Sequence, residues 1–567
     1  MEAPGAGWLS TGHRWRAAPG DRRHRVSPLN FALALEARYD SATMAPPTTH
    51  HPLRLAVALG LALAALLLRW PYLQLVPRLT DETAEVRWAI RIAQGEILPL
   101  THVDTYNGPL QPYLLAGLLR LFGFSPWLPR VMMAVLGAVL AGVVAWLAWG
   151  MAEDRRRTED GGRRTGERAL TTDYRLLTAV LAGALVATSF PLILINSHLA
   201  WSNGLTPLFT TLALGATWWA VRSARGGWLV TAGLLWALAL QTHPSVVALL
   251  PGVLGWTLWQ PQGRAWLRTR WAWLAVAAFG LGYSNMLWFN LTQAGASVVE
   301  ASNPRNAFGL AASPLVYAEN LAGLAVQLAR MLAGAYAPFE GRSAPFVMTP
   351  LVPVYGVLAC LALLWAARRQ PLLAWAVLSF SLSLPLVSRA FDALYDTRYI
   401  APLLPLVYLA AGLALGDRWP RLNARARLLA APLVVALVLA PLAAVAGFYA
   451  ESEARGLTNA PLLAIASRAH TEAANGALVL VDRGLGDLKL GGGGDPARAL
   501  EHLLTLEGTA HEVARVDKLR YFLEYSEAPL FLVLAEPTQA ELSSRYRLTP
   551  TDLAGPGYRV FTAPPGQ

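Results

Sequence analysis

The chain has 567 residues, of which 54% are hydrophobic and only 15% are charged. Soluble globular proteins carry about 25% charged residues, so this sequence has too few to cover an aqueous surface. The formal net charge is +11, but the arginines stand in short clusters between apolar runs, which argues against a nucleic-acid-binding face. A polytopic membrane protein with its positive charge on the inner side fits this pattern.

The first 50 residues are polar and rich in Arg, Pro and Gly, and they contain no apolar core long enough for a signal peptide. This composition predicts a disordered segment, and Met44 is a second candidate for the start of the protein. The first apolar run covers about 53–70 and follows basic residues, which predicts a cytoplasmic N-terminus. The single cysteine, Cys360, lies in an apolar run and excludes an intramolecular disulfide.

The segment after the first span, about 71–126, is predicted to form a structured outer loop. Residues 85–94 have the spacing of an amphipathic helix. Residues 110–122 are apolar but too few to cross a bilayer. We therefore expect this loop to lie on the membrane or to dip into it.

Ten further spans are predicted, and the charges between them set the topology. The arginine clusters at 155–168, 264–270, 368–369 and 418–427 all fall on one side, which is then the cytoplasm. Eleven spans place the C-terminus outside, with 51–449 as the membrane domain and a long outer segment ahead of residue 346. The ten spans are about 128–150, 176–195, 205–221, 228–241, 245–259, 271–290, 350–366, 372–387, 400–415 and 428–448.

The composition changes near residue 450, and 450–567 is predicted to be a small extracytoplasmic α/β domain. Short apolar runs at 477–481 and 530–534 indicate buried strands, and 496–506 and 537–545 indicate helices. The glycine run 491–494 is either a flexible loop or a phosphate cradle. The cradle lacks support because no Lys-Ser/Thr pair follows the glycines.

Two adjacent carboxylates, Asp81 and Glu82, stand just beyond the first span in a chain with few acidic residues. Carboxylates at such a place can act as a general base or bind a metal. The alternative is a structural helix start, because Thr80 and Asp81 would make a suitable N-terminal cap. Residue chemistry alone leaves both interpretations open.

The motifs that follow this acidic pair resemble a known family. Residues 89–95 (AIRIAQG), 106–110 (YNGPL) and 121–123 (LFG) come in order before the second span. Over about residues 53–420 this set resembles the polyprenyl-phosphate-sugar-dependent glycosyltransferases of the GT-C superfamily. Its closest branch is glycosyltransferase family 39, the protein O-mannosyltransferase and aminoarabinose transferase group.

The resemblance implies that Asp81 is the catalytic base, with Glu82 as a supporting carboxylate beside it. Mannose or another hexose would pass from a polyprenyl phosphate to a protein, lipid or glycan acceptor at the outer face of the plasma membrane. Such a transfer needs a base for the acceptor hydroxyl and cationic groups around the departing phosphate. One inverting displacement is implied. The resemblance fixes no cofactor and leaves a divalent cation open.

Arg398 and Tyr399 head a late span and resemble the arginine-tyrosine motif of the family, which implies a grip on the lipid phosphate. His243, in a Thr-His-Pro motif at the outer end of a middle span, is implied to contact the phosphate or the sugar. Each of these residues also has a purely structural interpretation. Arg398 could be an interfacial anchor paired with Asp392 or Asp396, and His243 could be satisfied by its neighbours.

The sugar or acceptor contacts are expected from Tyr106 and Asn107 in the first loop and from His198 and Asn203 further on. Family members often carry a second acidic residue at the outer start of the fourth span, where this chain has Asn203. That departure argues against a metal-bridged pair of carboxylates. Trp201 nearby either stacks on a sugar or anchors the chain at the membrane interface.

A transporter or flippase of a lipid-linked glycan is the competing function. Such a protein needs ionisable residues near mid-membrane and broken helices in paired halves. Here the ionisable residues gather at the outer ends of the spans, and no internal repeat is evident. The sequence therefore favours the transferase.

Overall fold

The computed structural model describes residues 51–76, 80–159, 168–301, 313–335, 346–387, 397–485, 496–507, 513–516, 519–555 and 557–566. The predicted disordered segment 1–50, the glycine run 491–494 and the two aspartates considered as partners of Arg398 lie outside these residues.

The described chain up to residue 454 is helical. Its α-helices are α1 (His51–Arg69), α2 (Thr80–Gln94), α3 (Leu110–Phe122), α4 (Leu128–Glu159), α5 (Arg168–Thr188), α6 (Phe190–Ser197), α7 (Thr206–Ser223), α8 (Gly226–Thr242), α9 (Leu250–Trp259), α10 (Pro261–Trp266), α11 (Arg270–Gly282), α12 (Ser284–Thr292), α13 (Ala296–Ala301), α14 (Pro314–Ala333), α15 (Val352–Arg369), α16 (Pro371–Val387), α17 (Thr397–Ile400), α18 (Leu403–Arg418) and α19 (Ala424–Ala454).

The chain is a polytopic membrane protein. Among the described helices four are long and apolar enough to cross a bilayer, and six if each of two bent pairs counts as one span. The two pairs are α5 with α6 and α11 with α12. Each of the eleven predicted spans overlaps a helix or a bent pair, but several of these helices are short, so the count of eleven stays a prediction.

The long outer segment predicted ahead of residue 346 contains a 20-residue helix, α14, where the sequence pattern predicts a loop. It packs against α15 and α16, and the Tyr317 hydroxyl donates to the Leu382 carbonyl at 3.0 Å. Polar residues interrupt its apolar stripe, so a search for continuous apolar runs passes over it.

The bend between α5 and α6 is 62° and has an identifiable cause. Pro191 has no N–H to bond the Ala187 carbonyl one turn earlier, which breaks the helix. The buried Arg69 guanidinium donates to that carbonyl at 3.1 Å and to the Ala65 carbonyl at 3.0 Å. The last turn of α1 is thereby fixed against the broken helix, and the segment after α1 leaves it from a defined position.

The two helices predicted in the first outer loop are present as α2 and α3. Val86 and Ile90 of α2 lie in one buried cluster with Leu115 and Leu119 of α3. Methionines from α4 belong to the same cluster. The apolar face of α2 is therefore buried in the protein, which leaves its opposite face for the site.

The C-terminal part holds a five-stranded sheet in the order β2-β1-β3-β5-β4. β1 pairs in parallel with β2 and β3, whereas β5 pairs antiparallel with β3 and β4. Both predicted strands and both predicted helices are present within a few residues. The elements are α20 (Ala460–Ala474), β1 (Leu478–Asp482), α21 (Pro496–Leu506), β2 (Val513–Val516), α22 (Leu519–Tyr525), β3 (Leu530–Ala535), α23 (Glu536–Ser543), β4 (Thr549–Gly555) and β5 (Tyr558–Ala563).

Helices cover both faces of this sheet. α20 and α21 share one buried cluster with the sheet, and α22 and α23 share another. α21 also packs on α2, where Arg87 and Glu501 form an ion pair at 3.1 Å. Asn459 donates its backbone N–H to the Leu75 carbonyl at 2.7 Å. The C-terminal part thus braces the first outer loop.

Candidate active site

Helix α2 carries three carboxylates on two faces. Asp81 and Glu85 are four residues apart and share one face. Glu82 is turned about 100° from Asp81, as one residue of an α-helix must be. This phase difference separates the roles of the three groups.

Asp81 and Arg398 form an ion pair, with 2.8 Å between Oδ2 and Nη1. The two residues are 317 positions apart in the chain, and α2 and α17 bring them together. The Asp81 side chain is 49% exposed and that of Arg398 is 25% exposed. A carboxylate and a guanidinium therefore meet where a ligand can reach both.

Aromatic rings hold the Arg398 guanidinium in place. Its Nη2 donates to the Tyr399 hydroxyl at 3.2 Å, and its carbon lies 5.2 Å from the Trp201 ring centre. Burial acts to lower the pKa of Arg398, but Tyr399 and Asp81 outweigh it and raise that pKa above its ordinary value. The side chain is a fixed cation with one flat face on an indole.

His243 is buried beside this cation. Its ring stacks on Tyr399, with 4.5 Å between the ring centres. Burial, together with the nearby Arg398, holds the pKa of His243 well below its ordinary value, so the ring is neutral. Nδ1 accepts the backbone N–H of Ser245 at 3.1 Å, which puts the ring proton on Nε2. His243 supports Tyr399 from behind.

Glu85, the other carboxylate on the Asp81 face, lies in a buried polar cluster. Its Oε2 accepts the Ser202 backbone N–H at 2.7 Å, and its Oε1 accepts the Ser202 hydroxyl at 3.1 Å. His102 Nε2 is 3.2 Å from the same Oε1. His102 Nδ1 accepts the backbone N–H of Asp104 at 3.2 Å, so a neutral His102 carries its proton toward Glu85.

Glu85 and His102 both hold protons more tightly than in water. Burial raises the pKa of Glu85 and outweighs the attraction of His102. For His102, burial acts to lower the pKa, but the charge and hydrogen bond of Glu85 raise it above its ordinary value. The Asp81 charge also raises both pKa values, so the protonation of this buried pair depends on the charge of the exposed carboxylate.

Glu82 does not share the Asp81 site. Its carboxylate is fully buried and takes two hydrogen bonds from Arg130, at 2.7 Å and 2.8 Å. The same guanidinium donates to the carbonyls of Leu73 and Val76 at 2.8 Å and 2.7 Å. The expected supporting carboxylate is thus turned into the protein, where it ties α2 to α4.

His198 is likewise placed inside the protein. Its Nδ1 lies 2.9 Å from the Ile193 carbonyl, and its Nε2 lies 3.0 Å from the Pro71 carbonyl and 3.1 Å from the Tyr449 hydroxyl. Burial lowers its pKa to about 4. A fully buried ring with these partners positions the chain after α1 and does not face a substrate.

The remaining expected contacts lie around the two clusters. The Tyr106 hydroxyl donates to Asp104 at 3.4 Å, and burial, with Asp104, Tyr399 and Asp81, raises its pKa, so it stays a neutral phenol. Asn107 and Asn203 each bury a side-chain oxygen that accepts no hydrogen bond from the described residues. Asn203 directly follows Ser202, the partner of Glu85.

Glu85 and His102 are not among the site residues that the sequence predicts. The structural helix begins at Thr80, ahead of the predicted 85–94, and only this longer helix puts Glu85 four residues after Asp81 on one face. His102 has no signal in the local sequence, because only the loop after α2 brings it to Glu85. Within the part of the chain that the structure describes, no three His, Cys, Asp or Glu side chains converge as metal ligands.

Comparisons with known proteins find similarity to solved structures only. No family model matches the sequence, and a search of curated proteins finds no match. The structure of ArnT from Cupriavidus metallidurans bound to undecaprenyl phosphate matches with a TM-score of 0.54 and 15% sequence identity, over 91% of this chain and 98% of that one. ArnT in the apo state gives a TM-score of 0.51 and 15% identity, over 90% and 97%.

The chain shares the fold of ArnT. The shared fold extends over 91% of this chain. An identity of 15% shows the fold alone. Sugar, acceptor and the roles of individual residues are therefore argued from the site.

Glu82→Gln is expected to destabilise the protein strongly, because it leaves the buried Arg130 without a full charge partner. Breaking a buried pair costs about 3–5 kcal/mol. Thermal unfolding in detergent measures the loss. Glu96→Gln is the matched control, since Glu96 pairs with Arg91 at an exposed site where the effect is about 0–1 kcal/mol. Equal unfolding temperatures for the two variants would contradict the assignment.

The pair Glu85 and His102 predicts a first loop that is less stable at high pH. Both groups bind protons more tightly when folded, so their contribution is complete below the unfolded pKa values and is lost as pH rises through the raised ones. Hydrogen-exchange protection in α2 is expected to fall by up to about tenfold per pH unit, the limit for one proton. Glu85→Gln should remove this fall, whereas Glu96→Gln should keep it. Wild-type protection independent of pH, after correction for intrinsic exchange, would refute the coupling.

Proposed function

We propose that the chain is a membrane glycosyltransferase of the extracytoplasmic face. It moves a hexosyl group, mannose or a similar hexose, from a polyprenyl phosphate to an acceptor hydroxyl. The observation that carries the proposal is the exposed ion pair of Asp81 and Arg398, which offers a base and a phosphate ligand side by side. The fold shared with ArnT bound to undecaprenyl phosphate supports it.

Arg398 binds the donor phosphate in this proposal. A guanidinium presents two parallel N–H groups that match two phosphate oxygens, and Trp201 and Tyr399 hold its plane. The phosphate then competes with Asp81 for the same cation. Donor binding therefore releases the carboxylate at the moment when a base is needed.

Asp81 then acts as the general base. The acceptor oxygen attacks the anomeric carbon from the side opposite the phosphate, and its proton passes to the Asp81 carboxylate. The bond between the anomeric carbon and the phosphate oxygen breaks, and the electron pair leaves with the lipid phosphate. Arg398 stabilises the charge that develops on this phosphate. One displacement inverts the anomeric configuration.

The neighbouring groups have supporting roles. Glu85 and His102 position α2 and its Asp81 face against Ser202. Asn107 and Asn203, whose buried side-chain oxygens have no hydrogen-bond partner among the described residues, stay proposed contacts of the sugar or the acceptor. We assign Glu82 and His198, by contrast, to the scaffold.

The outer-face location follows from the arginine clusters between spans, which favour a cytoplasmic N-terminus and an extracytoplasmic C-terminal domain. Asp81, His243, Arg398 and the domain 450–567 then share one side. The acceptor is a protein, a lipid or a glycan hydroxyl.

Asp81→Asn is expected to reduce turnover by about 10²–10⁴-fold, because general-base catalysis is lost while side-chain shape is kept. Undecaprenyl phosphate binding should persist or tighten, since Arg398 loses its competing anion. Transfer of radiolabelled mannose from polyprenyl-phosphate mannose by protein in nanodiscs measures the first effect. Glu96→Gln on the same loop is the control and should keep full activity. Unchanged turnover in Asp81→Asn would overturn the proposed base.

Arg398→Lys is expected to weaken undecaprenyl phosphate binding by about tenfold or more, because an ammonium keeps the charge but loses the bidentate fork. Native mass spectrometry with titrated lipid measures the affinity. Arg91→Lys, an exposed arginine of α2, is the matched control and should bind like wild type. Equal affinity in both variants would remove Arg398 from the donor site.

A further inference from the structure

A cavity opens in the C-terminal α/β part, away from the Asp81 site. Its volume is about 530 Å³. It lies on the sheet face covered by α22 and α23, opposite the face whose helix α21 packs on α2. Its polar and aromatic lining among the described residues includes Asp482, Arg520, Tyr521, Glu524, Tyr525 and Glu541.

The cavity sits at the carboxyl edge of the parallel strands. Asp482 ends β1, and Ala535 ends the neighbouring parallel strand β3. The Asp482 carboxylate accepts the backbone N–H groups of Gly484 at 2.8 Å and Ala535 at 3.0 Å. Open α/β sheets bind their ligands at this edge, so the cavity has the position of a ligand site.

Two tyrosines form an exposed aromatic surface on the cavity wall. Tyr521 and Tyr525 lie one turn apart on α22 and are 60% and 68% exposed. Their ring centres are 5.1 Å apart with 37° between the planes. Such rings offer a flat apolar face and a hydroxyl at once, which suits a ligand that is apolar on one side and polar at its edge.

The polar groups of the lining are mostly acceptors. Glu524 stands between the two tyrosines in sequence, and its carboxylate takes a hydrogen bond from Tyr546 at 2.6 Å. Arg520 and Glu541 form an ion pair that links α22 to α23. Three carboxylates against one guanidinium disfavour anionic ligands, including an anionic lipid surface. Carboxylates accept hydrogen bonds from hydroxyl groups, and a pyranose has hydroxyls at its edge and C–H groups on its face.

We propose that this cavity binds a neutral glycan, with sugar rings stacked on Tyr521 and Tyr525 and hydroxyls bonded to the carboxylates. The binding itself is independent of the Asp81 chemistry. If the proposed transferase function holds, the bound glycan belongs to the acceptor, and the C-terminal part concentrates that acceptor near the membrane surface.

The test is a binding titration of the full chain in nanodiscs with neutral oligosaccharides, for which mannotriose and cellotriose are the probes. Saturation-transfer NMR reports which sugar protons touch the protein. Wild type is expected to bind at least one probe. Tyr521→Ala and Tyr525→Ala should each weaken it by about tenfold, a change of about 1.4 kcal/mol. Tyr525→Phe, which keeps the ring, should bind nearly like wild type.

Matched carboxylate variants separate the cavity from general charge. Glu524→Gln should weaken binding, whereas Glu527→Gln, an exposed neighbour outside the lining, should leave it unchanged. Asp81→Asn should bind the glycan normally, so a failed transferase assay and a failed glycan site are distinguishable. No binding of either probe at millimolar concentration, or equal binding in the tyrosine-to-alanine variants, would overturn the proposal. So would tighter binding to anionic vesicles than to the sugars.

Discussion

The buried ion pair between Glu82 and Arg130 is the constraint on which the site geometry depends. Arg130 lies on α4 and donates hydrogen bonds to Glu82 on α2. It also donates to the carbonyls of Leu73 and Val76, just after α1. Three segments therefore meet at one guanidinium. Because the helix phase is fixed once Glu82 points inward, Asp81 and Glu85 must share the face that looks toward Arg398 and Ser202.

The same device appears at the end of α1, where a buried arginine replaces lost backbone bonds. Arg69 supplies donors to the carbonyls freed by the break before Pro191, as Arg130 does for the turn after α1. In an apolar surrounding an unpaired carbonyl costs several kcal/mol. The scaffold thus uses buried cations to hold irregular backbone at the ends of these helices, while Arg398 contacts the exposed Asp81.

The sequence predicts the structure best where a local residue pattern determines it. Periodicity and strand composition predict the helices α2 and α3 and the strands β1 and β3. The resemblance of the ordered motifs to a known family implies Asp81 and Arg398, and the structure places these two side chains in contact. Contacts between residues far apart in the chain are not predictable from local patterns. Nothing in the residues near Glu82 or His198 shows that Glu82 pairs with Arg130 or that His198 contacts Tyr449. A helix that begins at Thr80 puts Glu85, and not Glu82, on the face of Asp81. The span count stays open because several helices in the bundle are shorter than a bilayer requires.

The pairing of Asp81 with Arg398 has a consequence for how the proposed site works. Each group of this ion pair neutralises the other, so neither an isolated base nor an isolated cation faces the solvent. In the proposed mechanism the donor phosphate can bind the guanidinium with two oxygens, and so it competes with Asp81 for this cation. In the proposed mechanism the base becomes available only beside a bound donor. Chemistry would thereby be coupled to donor binding through one ion pair.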